Sequence, residues 1–310
     1  MALHRLCGRT VVGLVLDAAG ALDPRRVAVV VGPDDDEIAK ELQSDSVEIA
    51  RVPANVRHDP CASVLAALHG WSADDLDADF DPDDDDVLVL PASVPLLDGE
   101  TLRAFHRAHR VGDASATVLR AAEGDSAIWF VRRSLLAPAL RRTELPEITA
   151  LREVLEETGH EVATFEAEHP LASFDAADRV DLAAAEARLR AQINARWMRR
   201  GVTMLDPERT YVDLDARLGT DVTLHPGVLL RGATVIGDGS EVGVGCHLVD
   251  SRVGDHCRLE HVTAELAVVG DHARVGPFAV LEPGSEVPAA TVTGPFYTAG
   301  PDAHRPDPTD

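Results

Sequence analysis

Residues 211–248 read YVDLDARLGTDVTLHPGVLLRGATVIGDGSEVGVGCHL, and an aliphatic residue recurs in this stretch at every sixth position. The repeated positions are Val212, Leu218, Leu224, Leu230, Ile236, Val242 and Leu248. The register slips, resumes with Val253 and Leu259, slips again, and returns as Val269, Val275, Leu281 and Val287. This repeat predicts a left-handed parallel β-helix, in which each coil has three short flat strands and each strand points one aliphatic residue inward.

The predicted β-helix covers residues 202–293, and roughly four coils fit between Val212 and Val287. Such a prism has flat outer faces, and three prisms commonly pack around a shared axis. We therefore expect a homotrimer. Residues 294–310, which are rich in Pro, Gly and Asp, are expected to form an irregular tail.

The first 200 residues alternate short β-branched runs with amphipathic stretches, which predicts an α/β domain with a mainly parallel, Rossmann-like sheet at 1–174. The predicted strands are 26–31, 47–52, 86–90, 116–121, 126–131 and 161–166. The predicted helices are 10–19, 37–42, 62–71, 98–109, 134–142 and 148–158. A linker helix is expected at 175–201, because apolar residues recur there at helical spacing and Gly201 follows.

The charge balance excludes several classes of function. The chain has 29 Lys and Arg against 53 Asp and Glu, a net charge of −24, which disfavours nucleic acid and membrane surfaces as partners. Lys40 is the only lysine, and its amphipathic surroundings indicate a solvated helix face. The four cysteines form no CxxC pair and are expected to be reduced core residues of a cytoplasmic protein. Neither a signal peptide nor a membrane span is apparent in the pattern.

Several motifs resemble one family, the bifunctional N-acetylglucosamine-1-phosphate uridyltransferase and glucosamine-1-phosphate acetyltransferase called GlmU. These motifs are Leu3-His4-Arg5-Leu6-Cys7-Gly8-Arg9, Pro95-Leu96-Leu97-Asp98, Ala191-Gln192-Ile193-Asn194, Gly201-Val202-Thr203-Met204-Leu205-Asp206-Pro207, and Gly276-Pro277-Phe278 with Pro283-Gly284. The resemblance covers most of the chain. It implies a nucleotidyltransferase domain followed by an acetyltransferase β-helix.

The resemblance implies uridyltransferase chemistry, but the residues that this chemistry needs in the family are missing from this sequence. The family binds nucleotide phosphates on a glycine-rich loop after its first strand, and the resemblance places Met1 at the end of that loop. The family binds magnesium between an aspartate and an asparagine, whose positions correspond to Ser93 and Ala177. We therefore expect Ser93 and Ala177 to be vestigial positions, since a hydroxyl and a methyl group cannot replace that pair.

Other family positions are also altered. The base-recognition stretch is matched only by Asp59-Pro60-Cys61-Ala62, and the sugar-binding excursion is missing between Ala121 and Ala127. In the acetyltransferase half, an arginine position corresponds to Glu282, a third vestigial position. His304, in the Pro-rich tail, has no evident partner as a general base.

Three further sequence patterns are compatible with a binding site, but a simpler interpretation is favoured for each. The acidic run from Asp74 to Asp86 alternates like a calcium loop, but Phe80 replaces the required glycine, so a solvated loop is favoured. The spacing of Gly237, Gly239 and Gly243 is that of coil turns. His247, His256 and His261 could bind a metal across a trimer axis, but ordinary surface or interface histidines are favoured.

These observations support a pseudoenzyme without cofactor, acting as a scaffold or regulatory subunit that could assemble with an active paralogue. One alternative is an active Mg- and UTP-dependent nucleotidyltransferase whose recorded start is too late, because a doubly wound sheet depends on its first, central strand. Another alternative is an acyltransferase with altered catalytic groups.

Overall fold

The computed structural model describes residues 1–42, 47–54, 59–70, 85–121, 124–142, 147–168 and 171–300. The chain divides into two compact units. One unit comprises Met1–His4 with Thr10–Asp181, and the other comprises Arg5–Arg9 with Leu182–Asp310. The domain boundaries drawn from the sequence stay predictions.

The α/β part contains short strands interleaved with helices, as the sequence pattern predicts. Two short strands near the start of the chain, β1 (Arg5–Leu6) and β2 (Arg9–Thr10), pair with each other, and Arg5–Arg9 belong to the other unit. The strands of the α/β part are β3 (Ala28–Val31), β4 (Glu48–Arg51), β5 (Asp86–Val89), β6 (Ala116–Ala121), β7 (Gly124–Arg132) and β8 (Val162–Phe165). Its helices are α1 (Val11–Gly20), α2 (Asp36–Glu41), α3 (Pro60–His69), α4 (Gly99–Gly112), α5 (Arg133–Arg142) and α6 (Leu151–Glu157), the last preceded by a 3-10 turn at Ile148–Ala150.

Strands β3 to β8 form two separate sheets. Strands β3 and β4 make a parallel pair, and the other sheet has the order β5-β7-β6-β8. Strand β7 is antiparallel to β5 and β6, whereas β6 and β8 are parallel. Only residues 122 and 123 separate β6 from β7, and a connection this short permits only an antiparallel pair.

The four-stranded sheet has a buried apolar cluster on each face. Because side chains alternate along a strand, Val118 and Trp129 belong to one cluster, while Leu119 and Ile128 belong to the other. All four are fully buried. The second cluster also contains Phe105 of α4, whose ring centroid lies 4.8 Å from that of Phe130.

The β-helix predicted from the six-residue repeat is confirmed. Its strands are β9 (Thr203–Met204), β10 (Tyr211–Val212), β11 (Arg217–Leu218), β12 (Thr223–Leu224), β13 (Leu229–Arg231), β14 (Val235–Ile236), β15 (Glu241–Val242), β16 (His247–Val249), β17 (Arg252–Val253), β18 (Arg258–Leu259), β19 (Val262–Glu265), β20 (Val268–Val269), β21 (Arg274–Val275), β22 (Ala279–Leu281), β23 (Glu286–Val287) and β24 (Thr298–Ala299). They form three all-parallel sheets of six, five and five strands. Every repeated aliphatic residue is buried, with at most 8% of its surface exposed.

The register slips have a structural explanation. Ala264 pairs with Leu248 and Leu281 on the same face, so it is the inward residue between Leu259 and Val269. The steps on either side of Ala264 are five residues long. Strand β24 pairs with β22 and lies inside 294–310, so regular structure extends further than the predicted tail allows.

The long helix α7 (Arg179–Arg199) precedes the β-helix, inside the range predicted for the linker. Gly201 follows it with a φ of 97°, a left-handed conformation suited to a helix end. The fully buried Asn194 donates from Nδ2 to the carbonyls of Pro207, at 2.8 Å, and Thr210, at 2.9 Å. These bonds attach the helix to the first coil. Across the described ranges, no helix combines the length and apolar character that a bilayer span requires.

Candidate functional site

The turn that contains Ser93 follows β5 and is anchored on both sides. Val94, Leu96 and Leu97 are buried. Asp98 then caps α4, because its carboxylate accepts a hydrogen bond of 2.7 Å from the Thr101 amide. The Pro95-Leu96-Leu97-Asp98 motif therefore has a structural purpose: it fixes the turn to the start of the helix.

A second segment, 175–178, lies against this turn. The Ala176 amide donates to the Ser93 carbonyl at 2.8 Å, and Ala176 is 1% exposed. The structure thus brings Ser93 close to Ala177, the two positions that the family resemblance assigns to its magnesium ligands.

The carboxylates next to Ala177 serve the first turn of α7. Asp178 accepts from the amides of Val180 and Asp181, at 2.7 and 2.9 Å. Asp181 accepts from the amides of Ala177 and Asp178, at 3.1 and 3.2 Å. This arrangement is a capping box, which satisfies amides that a helix start leaves without partners.

The residues at this place do not fit a magnesium ion. A hard divalent cation prefers several oxygen ligands, usually including carboxylates. Ser93 offers a hydroxyl, Ala177 offers a methyl group, Asp178 and Asp181 are engaged by amides, and Asp175 supplies a single exposed carboxylate. In the part of the chain that the structure describes, no group of three or more His, Cys, Asp or Glu side chains could hold a metal ion.

A large apolar cavity begins beside the turn. Its volume is about 920 Å³, and Pro91, Ala92 and Asp175 contribute to its lining. From there it extends between β3 and β5, where valine and leucine side chains predominate.

One polar cluster of this unit was not predicted from the sequence. His109 is 2% exposed; its Nε2 lies 3.1 Å from Asp86 Oδ1, and its Nδ1 lies 2.8 Å from Thr117 Oγ1. Arg110 Nη1 donates to Asp86 Oδ2 at 3.2 Å. The order Asp, His, Thr resembles a catalytic triad, but Thr117 is also 2% exposed, so a substrate cannot reach its hydroxyl. The cluster instead ties α4 to β5 and β6.

The ionisation of Asp86 follows from these contacts. Burial alone would raise the pKa of Asp86, but hydrogen bonds and charge from His109 and Arg110 outweigh it, so the pKa lies below its ordinary value of 3.8. Burial lowers the pKa of His106, which also lies near Asp86. The one sequence feature that could have indicated this polar cluster was the i, i+3 spacing of His106 and His109 on an amphipathic helix.

The structure places the other histidine and glycine candidates on separate strands and turns of the β-helix. His247 lies on a strand, His256 stacks on His272 at 5.3 Å between ring centroids, and His261 lies in a different turn. Gly239 adopts a φ of 63° in a coil turn. Residues 71–84, which hold most of the acidic run, and His304 lie outside the described residues.

The remaining predicted positions have local roles. Glu282 is exposed, and its amide donates to the Ala299 carbonyl at 2.9 Å. Lys40 lies exposed on α2. Asp59 caps α3 by accepting from the Ala62 amide at 2.9 Å. The vestigial status of Ser93, Ala177 and Glu282 stays a prediction.

Replacing Asp86 tests the buried cluster. Because its pKa is lower in the folded state, Asp86 stabilises the fold above its unfolded pKa, and this contribution is lost as pH falls through the folded value. Asp86→Asn should lower the free energy of unfolding at pH 7 by about 1–3 kcal/mol. It should also flatten the loss of stability below about pH 4, measured by urea unfolding across pH. Asp113→Asn, at a carboxylate that is 90% exposed and paired with Arg132, is the control and should change stability by under about 0.5 kcal/mol. Equal acid sensitivity of Asp86→Asn and the parent would contradict this account.

Comparison with known proteins places the chain in a family. Residues 2–162 match the model of the MobA-like NTP transferase domain. The bifunctional protein GlmU of Streptomyces avermitilis is 32% identical over 340 residues, which cover 95% of this chain and 68% of that protein. GlmU of Nocardia farcinica is 33% identical over 345 residues, with coverages of 95% and 67%. A solved nucleotidyl transferase from Methanothermobacter thermautotroptrophicus is 20% identical, with a TM-score of 0.49 over 64% of this chain and 85% of that chain. The chain therefore belongs to the family of the bifunctional protein GlmU, and its first half is a MobA-like NTP transferase domain.

Proposed function

We propose that this chain is a catalytically silent member of its family, a scaffold or regulatory subunit in UDP-N-acetylglucosamine and cell-wall sugar metabolism. The observation that carries the proposal is the hydrogen bond from Ala176 to Ser93, which brings two family ligand positions together while they hold a methyl group and a hydroxyl. A cation that bridges phosphates would find no anionic pair at these two positions.

The charge of the chain supports the same proposal. Phosphate groups are held by basic side chains, backbone amides or metal ions. Lys40 is the only lysine, and it lies exposed on α2. A net charge of −24 repels nucleotides over most of the surface. We infer that the protein needs neither magnesium nor UTP and works in the cytoplasm.

The β-helix supplies a surface suited to self-association. Along one edge of the prism His261 packs against Phe278 in a tilted geometry and Phe278 stacks on Phe296, with ring centroids 4.8 and 5.4 Å apart. Phe278 is 52% exposed and Phe296 is 74% exposed. Val280 is also exposed, on a flat strand of the prism. Exposed apolar groups of this kind favour packing against further copies, so we propose a homotrimer that can also incorporate an active paralogue.

Restoring the ligand pair tests the loss of cation binding. The parent chain should show no saturable heat with Mg²⁺ and UTP, or with Mg²⁺ and UDP-N-acetylglucosamine, in isothermal titration. Ser93→Asp combined with Ala177→Asn should tighten Mn²⁺ binding at least tenfold, measured by the paramagnetic signal of free Mn²⁺, because it adds two oxygen ligands at adjacent positions. The uncharged pair Ser93→Asn with Ala177→Val is the control and should bind as weakly as the parent. Micromolar binding of UTP by the parent, with release of pyrophosphate, would refute the proposal.

Introducing charged side chains at Phe278 and Phe296 tests the proposed trimer. Phe278→Glu combined with Phe296→Glu should convert trimers to monomers in sedimentation velocity, because carboxylates would be buried without partners in the interface. Val111→Glu, at an exposed apolar residue of the other unit, is the matched control and should leave the trimer intact. A monomeric parent, or a trimer unaffected by the double change, would rule out this interface.

A further inference from the structure

Three arginines lie close together where α7 ends and the β-helix begins. Arg196 is in the last turn of α7, Arg200 directly follows the helix, and Arg217 is the first residue of β11. All three belong to the unit that contains the β-helix, and all three are exposed. We call this group the arginine patch.

The arginine patch brings like charges together. Partial burial lowers the pKa of the Arg196 guanidinium, and the positive charges of Arg200 and Arg217 lower it further. Arg196 and Arg200 are also four residues apart, and like charges at this spacing on a helix are destabilising. Within the described ranges, none of the three arginines pairs with a carboxylate.

This crowding does not follow from a shortage of acidic residues. The chain has 53 Asp and Glu for 29 Lys and Arg, and elsewhere in the same unit Arg258 donates to Glu241 at 3.1 Å. A cation near a helix C-terminus interacts favourably with the helix dipole. The dipole accounts for Arg196, but it does not account for Arg217, which lies on a strand. The patch therefore carries positive charge that an anion would stabilise.

A buried indole orients two of the three side chains. Trp197 is 4% exposed, and the guanidinium carbons of Arg196 and Arg200 each lie 5.5 Å from the centroid of its ring. Cation–π attraction acts at this distance. The indole Nε1 is also buried, and it has no hydrogen-bond partner among the described residues. A buried donor without an acceptor costs free energy, and an anion seated between Arg196 and Arg200 would lie beside this ring.

The positions of the three guanidinium groups favour a ligand with several anionic groups. Arg196 and Arg200 are one helical turn apart, about 6 Å along the axis. Arg217 is fixed on a different element, because its Nη1 donates to the carbonyls of Leu214 and Ala216, at 3.2 and 3.0 Å. A guanidinium presents two parallel N–H groups, which match the two oxygens of one carboxylate. Three guanidinium groups at separate positions thus match three carboxylates better than one.

We propose that the arginine patch binds a small polycarboxylate, with a carboxylate at each of Arg196, Arg200 and Arg217 and one oxygen accepting from Nε1 of Trp197. The ligand neutralises charge that the described residues leave unpaired, and it gives the buried indole its acceptor. This inference is independent of the proposed function, because it involves neither the Ser93 turn nor segment 175–178. Its assays contain neither magnesium nor nucleotide, so either proposal can fail alone.

The test uses the full chain and propane-1,2,3-tricarboxylate at constant ionic strength. We expect saturable heat in isothermal titration. The NMR signal of the Trp197 Nε1–H, assigned by its absence from Trp197→Phe, should move downfield at saturation as the indole gains an acceptor. Acetate and inorganic phosphate carry one anionic group each and should bind at least tenfold more weakly. A higher salt concentration should weaken binding of the tricarboxylate, because the patch is exposed.

Two matched double variants locate the site. Arg196→Gln combined with Arg200→Gln should weaken binding of the tricarboxylate at least tenfold. The far-UV circular dichroism of this variant should equal that of the parent, because both side chains are exposed. Arg252→Gln combined with Arg274→Gln removes the same charge at exposed positions on β17 and β21, and it should bind like the parent.

Four results would overturn the inference: no saturable binding of the tricarboxylate, an equal affinity for acetate, an unchanged Trp197 signal at saturation, or full binding by the variant of Arg196 and Arg200. A capped peptide of four glutamates that binds at least tenfold more tightly than the tricarboxylate would overturn a small molecule as the source of the carboxylates.

Discussion

A backbone amide or carbonyl that leaves water must find a partner, and this constraint organises both units of the molecule. In the β-helix each coil pairs with the coils before and after it through three parallel ladders, so inward aliphatic residues can stack in register. The same constraint explains Asn194, whose amide group satisfies two carbonyls where helix and first coil meet.

The Ser93 turn and segment 175–178 are each held in place by their own contacts. The Ser93 turn is held by a capped helix, and segment 175–178 is held by the capping box of α7. These supports depend on helix-capping and hydrogen-bonding geometry and not on metal binding. The Ser93 turn and segment 175–178 can therefore keep their geometry whether or not the side chains at Ser93 and Ala177 bind a cation.

The β-helix could be predicted from the sequence because its pattern repeats, and each aliphatic residue of the repeat marks the position of one strand. Ala264 was not predicted as an inward residue, because alanine does not stand out in a pattern of larger aliphatic residues. Its inward position is set by pairing with Leu248 and Leu281. Strand β24 was not predicted, because a strand of two residues between prolines and glycines shows no hydrophobic periodicity. In the α/β part, the helices and strands could be predicted from apolar spacing, and family resemblance indicated Ser93 and Ala177. The Asp86, His109 and Thr117 cluster could not be predicted, because its members lie on β5, α4 and β6 and meet only when these elements pack together.

We propose that the molecule keeps the fold of its family but no longer binds the cation and the nucleotide. Anomalous diffraction from crystals soaked in Mn²⁺ and UTP tests this claim most directly. The account predicts no anomalous peak and no ordered triphosphate between Ser93 and Ala177. A Mn²⁺ peak there, bridged to a triphosphate, would contradict it.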